Sequence, residues 1–135
     1  PFALVHSLAN AVAAACGTVD DMGIRIRALR DRLELGISAL FPDSHFNGAE
    51  ANRLPNTSLV TIPSIDGPQM MLDLNQKQIY VGTGAACATG EPSHVLLAMG
   101  KTAAQAHGTL RFSLGLATTA DDITKTLSAL NALKG

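Results

Sequence analysis

Cys87 and Arg111 are the two side chains in this sequence whose type and setting suggest chemistry. Cys87 lies in GTGAACATG (82–90), among glycine, alanine and threonine. Such a run buries little apolar surface, and ordering it costs backbone entropy. The composition therefore predicts a mobile loop that exposes its sulfur. As a thiolate, that sulfur is a nucleophile. An ordinary thiol pKa of about 8.5 leaves it mostly protonated at neutral pH, so it needs a nearby base or positive field. None stands beside it in sequence. The ordinary alternative for a cysteine is a small core hydrophobe, and that reading suits Cys16 in the alanine-rich run ANAVAAAC. Arg111 sits in LRFSLG (110–115). Its planar fork matches a carboxylate; the ordinary alternative is a solvated or surface-paired charge.

The histidines carry less. His94 and His107 fall near expected helix ends, His6 and His45 show no pattern, and Asn56 in RLPNT fits a turn. No C-x-x-C or H-x-x-x-H spacing occurs, so no metal site is expected.

The elements that must position Cys87 and Arg111 follow from periodicity. Residues 2–16 read as a helix rich in small residues, with Leu4, Leu8 and Val12 at every fourth position. Gly17 stops it, and Thr18 with Asp21 offers an approximate capping box for a second helix. There Met22, Ile26, Leu29, Leu33, Ile37 and Leu40 form one apolar stripe. Arg25, Arg30, Asp31, Arg32 and Glu34 lie mostly off it, and Pro42 ends it. FPDSHFNGAEANRLPN has loop chemistry. SLVTI (58–62) and IYVGT (79–83) read as strands, separated by a turn at 66–68 and a helix that Pro68 opens. Pro92 opens a short helix, Thr102 with Gln105 caps another, and Thr119 starts the last.

LRFSLG is the third strand. Leu110, Phe112 and Leu114 share one face, and Thr109, Arg111 and Ser113 the other. The sum is an α+β fold with a small three-stranded sheet and helices packed on one face. Burying the apolar face against helices points Arg111 onto the uncovered one.

The totals bound the rest. The chain has 135 residues, 47% of them hydrophobic, which suits a single domain over 1–135 with an aliphatic core. Net charge is −1 and no basic cluster stands out, which argues against nucleic acid as a partner. No apolar run reaches membrane-span length, so no membrane is expected. Two cysteines make a poor disulfide framework, and a reducing, cytoplasmic compartment is the default.

FNG (46–48), RLPNTS (53–58), GTGAACATGEPSHVLLAMG (82–100) and AHGTLRFSLG (106–115), in this order, resemble the C-terminal part of the NifS-like cysteine desulfurases. These are pyridoxal-phosphate enzymes of the aspartate-aminotransferase fold, and the likeness runs through essentially the whole chain. The resemblance implies conversion of L-cysteine to L-alanine, with the sulfur captured as a persulfide on Cys87. It implies that Arg111 binds the substrate carboxylate. It also implies a mainly antiparallel small-domain sheet whose free side closes over pyridoxal 5'-phosphate, residues 1–41 as a helical segment leading from a large domain, and residues 42–135 as the core with the cysteine loop 82–91. Implied partners are L-cysteine, that missing large domain, a scaffold-type sulfur-acceptor protein and a second copy in a homodimer. Iron–sulfur cluster or other sulfur-containing cofactor synthesis is the implied destination of the sulfur.

The chain departs from the family pattern in places. Ala85 stands where serine is usual, and only Ala-Thr-Gly separates Cys87 from Glu91. The family's Schiff-base lysine, ring-stacking histidine and pyridine-nitrogen aspartate lie upstream, and Lys77, Lys101, Lys125 and Lys134 match no such motif. No cofactor-binding residue is therefore assigned in this chain, and by itself it is expected to be inactive. A rival reading is a stand-alone persulfide carrier or interaction module without pyridoxal-phosphate chemistry. A further alternative is a degenerate family member with no activity.

Overall fold

The alternation in the Arg111 strand organises the molecule. The computed structural model describes residues 1–16, 19–83 and 92–134. Its elements, in chain order, are α1 (Phe2–Cys16), α2 (Val19–Leu40), β1 (His45–Phe46), β2 (Thr57–Thr61), α3 (Gly67–Gln76), β3 (Gly82–Thr83), α4 (His94–Ala98), α5 (Ala103–His107), β4 (Thr109–Ser113) and α6 (Ala120–Leu133). The strands form one sheet in the order β1-β2-β4-β3, with antiparallel neighbours. Leu110 lies opposite Val60 and Phe112 opposite Ser58. This face is apolar. Val60, Leu110, Phe112 and Leu114 pack with Leu33 and Ile37 of α2, Met70 and Leu74 of α3, and Ile123 and Leu130 of α6. Helices therefore cover one side of the sheet, as the period-2 pattern predicts.

Capping fixes where the helices start. The Asp66 carboxylate accepts from the Gln69 amide, and Pro68 occupies the first turn of α3. Thr102 with Gln105 and Thr119 with Asp122 form reciprocal capping boxes on α5 and α6. At the other end of α3, Gln78 takes a left-handed φ of 60°. The Gln78 amide donates to the Asn75 carbonyl and the Ile79 amide to the Leu74 carbonyl. This closure is a Schellman turn. It spends the Ile79 amide on the helix end, so the strand expected over 79–83 contracts to Gly82–Thr83.

Three other expectations need correction. The sheet has four strands rather than three, because His45–Phe46, inside the stretch read as loop, pairs with Thr61 and Val60. Cys16 is an exposed free thiol and not a core residue. The reason is that α1 buries no residue at all: Phe2, Leu4, Val5, Leu8 and Val12 are each more than half exposed. Arg30, placed off the apolar stripe, is only 5% exposed. It is tolerated because its guanidinium bonds the Asp31 carboxylate at 2.6 and 3.0 Å and reaches the Leu54 carbonyl. The Gly17–Thr18 junction lies outside the described residues.

Candidate functional site

Arg111 is exposed on the sheet face that the core helices leave free. Leu59 of β2 is its neighbour on one side and Gly82 of β3 on the other. Its guanidinium leans over Gly82: a Cβ there would stand 3.3 Å from Nη2 and 3.5 Å from Nε. Among the described residues no carboxylate pairs with Arg111, whereas Arg30 bonds Asp31 and Arg53 bonds Glu34. A guanidinium on a strand flanked by two others can take a carboxylate bidentately. Cys87 and all but the first two residues of the expected cysteine loop lie outside the described residues.

The side chains around Arg111 were only partly visible in the sequence. Thr109 shares its face, as alternation predicts, yet is fully buried. Its hydroxyl meets that of Thr61, directly opposite on β2, at 2.8 Å. Asn47, just after β1, donates to the Thr61 hydroxyl at 2.9 Å. Neither partner is near in sequence, so no local pattern announces the cluster. Beyond it, the Arg53 guanidinium forks onto both Glu34 oxygens at 2.9 Å and donates to the Thr57 carbonyl. That pair ties the segment between β1 and β2 to α2. Asn56, read as turn chemistry, accepts from the Leu114 amide through its carbonyl.

His107 closes α5, and its Nε2 lies 3.2 Å from Asp66 Oδ2. His94 is the exposed first residue of α4, His45 lies exposed on β1, and His6 lies on the uncovered α1. Among the described residues no hydrogen bond or ion pair joins any of these histidines to Arg111. The Asp66 carboxyl is held below the ordinary value of 3.8, first by the Gln69 backbone N–H and then by His107. The Thr119 backbone N–H and hydroxyl do the same for Asp122. A depressed carboxyl stabilises the fold above its unfolded value and loses that contribution as pH falls through its native one. Urea midpoints are therefore expected to hold steady from neutrality down to about pH 4 and to drop below it. The double variant Asp66→Asn/Asp122→Asn should show a shallower acid limb in the same titration.

The family model described as aminotransferase class-V matches residues 3–126. The chain belongs to the aminotransferase class-V family. This class-V chain is 43% identical over 104 residues to the cysteine desulfurase NifS of Azotobacter vinelandii, covering 76% of the chain and 26% of that relative. It is 46% identical over 107 residues to a cysteine desulfurase of Cereibacter sphaeroides, covering 78% and 28%. It is 38% identical over 130 residues to the cysteine desulfurase IscS of Clostridium botulinum, covering 93% and 33%. Among solved structures it superposes on a NifS-like protein with a TM-score of 0.79 at 27% identity, covering 93% of the chain and 31% of that structure. A NifS-like protein from Rickettsia africae gives 0.76 at 27% identity, covering 87% and 30%. The class-V chain thus spans between a quarter and a third of the relatives it matches. Among its described helices, no single one is long and apolar enough to cross a membrane.

Proposed function

We propose that the chain is the small domain of a cysteine desulfurase and acts in sulfur transfer from L-cysteine. The observation that carries this reading is that relatives 43 and 46% identical to it are named cysteine desulfurases. Arg111 supports it as a guanidinium on the free sheet face with no carboxylate partner among the described residues, where it would bind the substrate carboxylate. Cys87 is the proposed sulfur acceptor, and the destination of the sulfur is iron–sulfur cluster or other sulfur-containing cofactor synthesis. As thiolate, Cys87 attacks the substrate sulfur. A sulfur–sulfur bond forms and the substrate carbon–sulfur bond breaks. Its electron pair stays with the carbon, which takes up a proton to become L-alanine, and Cys87 is left as a persulfide for an acceptor protein.

Three of the four lysines of this chain are engaged elsewhere or stand in solvent. Lys125 pairs with Asp121 at 2.7 Å, Lys134 lies over the Phe41 ring, and Lys77 is exposed just past α3. Pyridoxal 5'-phosphate, held by a large domain outside this chain, would supply the electron sink that weakens the carbon–sulfur bond. That domain is also the proposed cover for α1. A helix with Phe2, Leu4, Val5, Leu8 and Val12 exposed and no charged side chain has the composition of a buried element.

The test joins this chain to a complementary large domain, adds pyridoxal 5'-phosphate and L-cysteine, and follows alanine release together with the mass of the Cys87 peptide. One alanine and one added sulfur on Cys87 per single turnover are expected; alanine without added sulfur on Cys87 removes its role. In the same assay Arg111→Lys should raise KM for L-cysteine by about ten- to a hundredfold, since a point charge replaces a bidentate fork.

A further inference from the structure

We infer that Thr109 is a positioning residue for Arg111, acting through a directed chain of buried hydrogen bonds that runs Asn47–Thr61–Thr109–Gln105. The inference rests on the proposed carboxylate-binding role of Arg111 and adds to it how that side chain is held.

Proton counting fixes the direction of the chain. The Thr109 hydroxyl lies 2.7 Å from the Gln105 carbonyl of α5, which can only accept, so Thr109 donates there. Its contact with Thr61 at 2.8 Å then requires Thr61 to be the donor. Thr61 has spent its one proton, so Asn47 must turn its amide nitrogen toward it, at 2.9 Å. The same nitrogen reaches the Leu59 carbonyl at 3.3 Å, and the Asn47 backbone amide donates to that carbonyl at 2.8 Å. Every donor is committed, and the arrangement has one solution. Asn47, Thr61 and Thr109 are at most 6% exposed. They link β1, β2, β4 and the C-terminal turn of α5 on the face that carries Arg111.

Why a polar set should be kept here is the physical question. Valine at both threonines would strand the outer members of the chain, leaving the buried Asn47 amide nitrogen without its acceptor and the Gln105 carbonyl without the Thr109 proton. Buried polar chains specify geometry more than they add stability. Arg111 stands two residues from Thr109 on the same face, about 7 Å along the strand. The chain pins the first residue of β4 to α5 and β2, and so sets where the guanidinium starts.

The double variant Thr61→Val/Thr109→Val in the 135-residue chain tests this. Urea unfolding is expected to stay cooperative with a lowered midpoint, because Asn47 and Gln105 lose their partners, while the Arg111 Nε–H resonance in a nitrogen–proton correlation spectrum shifts or broadens. Thr109→Ser should restore the wild-type resonance. In the enzyme completed by its large domain, the double variant should raise KM for L-cysteine roughly tenfold with kcat nearly kept, and Thr109→Ser should recover it. An unmoved Nε–H resonance and unchanged KM in a folded double variant overturn the inference. If the resonance moves and serine does not restore it, shape rather than the hydroxyl is responsible, and the inference also falls. Should Arg111→Lys leave KM unchanged, the carboxylate reading fails independently, and the resonance still decides the positioning.

Discussion

On the proposed function, Cys87→Ser, assayed with a complementary large domain, is expected to leave no transferable sulfur on this chain. A serine hydroxyl has the right reach but the wrong chemistry. It stays protonated at neutral pH, whereas a thiol near its usual pKa of about 8.5 has an accessible thiolate. Oxygen also forms no stable counterpart of a persulfide. The loss should reach the background of the assay. Cofactor absorbance should be retained, because no lysine or ring-stacking group is touched. Mass spectrometry of the labelled peptide after a single turnover with cysteine is the measurement. Wild-type levels of transferable sulfur from the serine variant would move the acceptor role to another residue.

Gly67→Ala is expected to cost this domain about 3 kcal/mol, the upper end of the range for overpacking. The position needs no unusual backbone angle. The obstruction is that an added Cβ would land on the His107 carbonyl oxygen, with the Thr109 amide 3.5 Å away. Those atoms are main chain, and they end α5 and begin β4. They cannot retreat without moving the Arg111 strand. Gly23→Ala supplies the opposite sign in the same experiment. Within α2 its Cβ would meet only the Pro55 ring at 4.0 Å, so removing a helical glycine should stabilise by about 0.5–1 kcal/mol. Urea denaturation of both variants reads the pair. Equal midpoints would mean that the α3–α5 junction is looser than its geometry states.

How much of this was legible beforehand depended on whether the deciding interaction was local. Helix starts were readable because a cap and its partner lie three residues apart, as at Thr102 and Gln105. The face of Arg111 was readable because strand alternation is local too. His45–Phe46 was not, since its strand character comes from pairing with Thr61 and Val60 rather than from its own composition. Cys16 was misjudged for a related reason. An apolar helix is buried only where something covers it, and composition does not say what. The Thr61–Thr109 contact joins residues 48 positions apart. Motif likeness, not spacing, suggested the role proposed for Cys87, and that residue falls outside the described part of the chain.

The uncovered α1 has a practical meaning. A waxy cylinder of fifteen residues left open to water is a site at which molecules stick to one another. A laboratory handling the 135-residue chain should plan for self-association as its concentration rises.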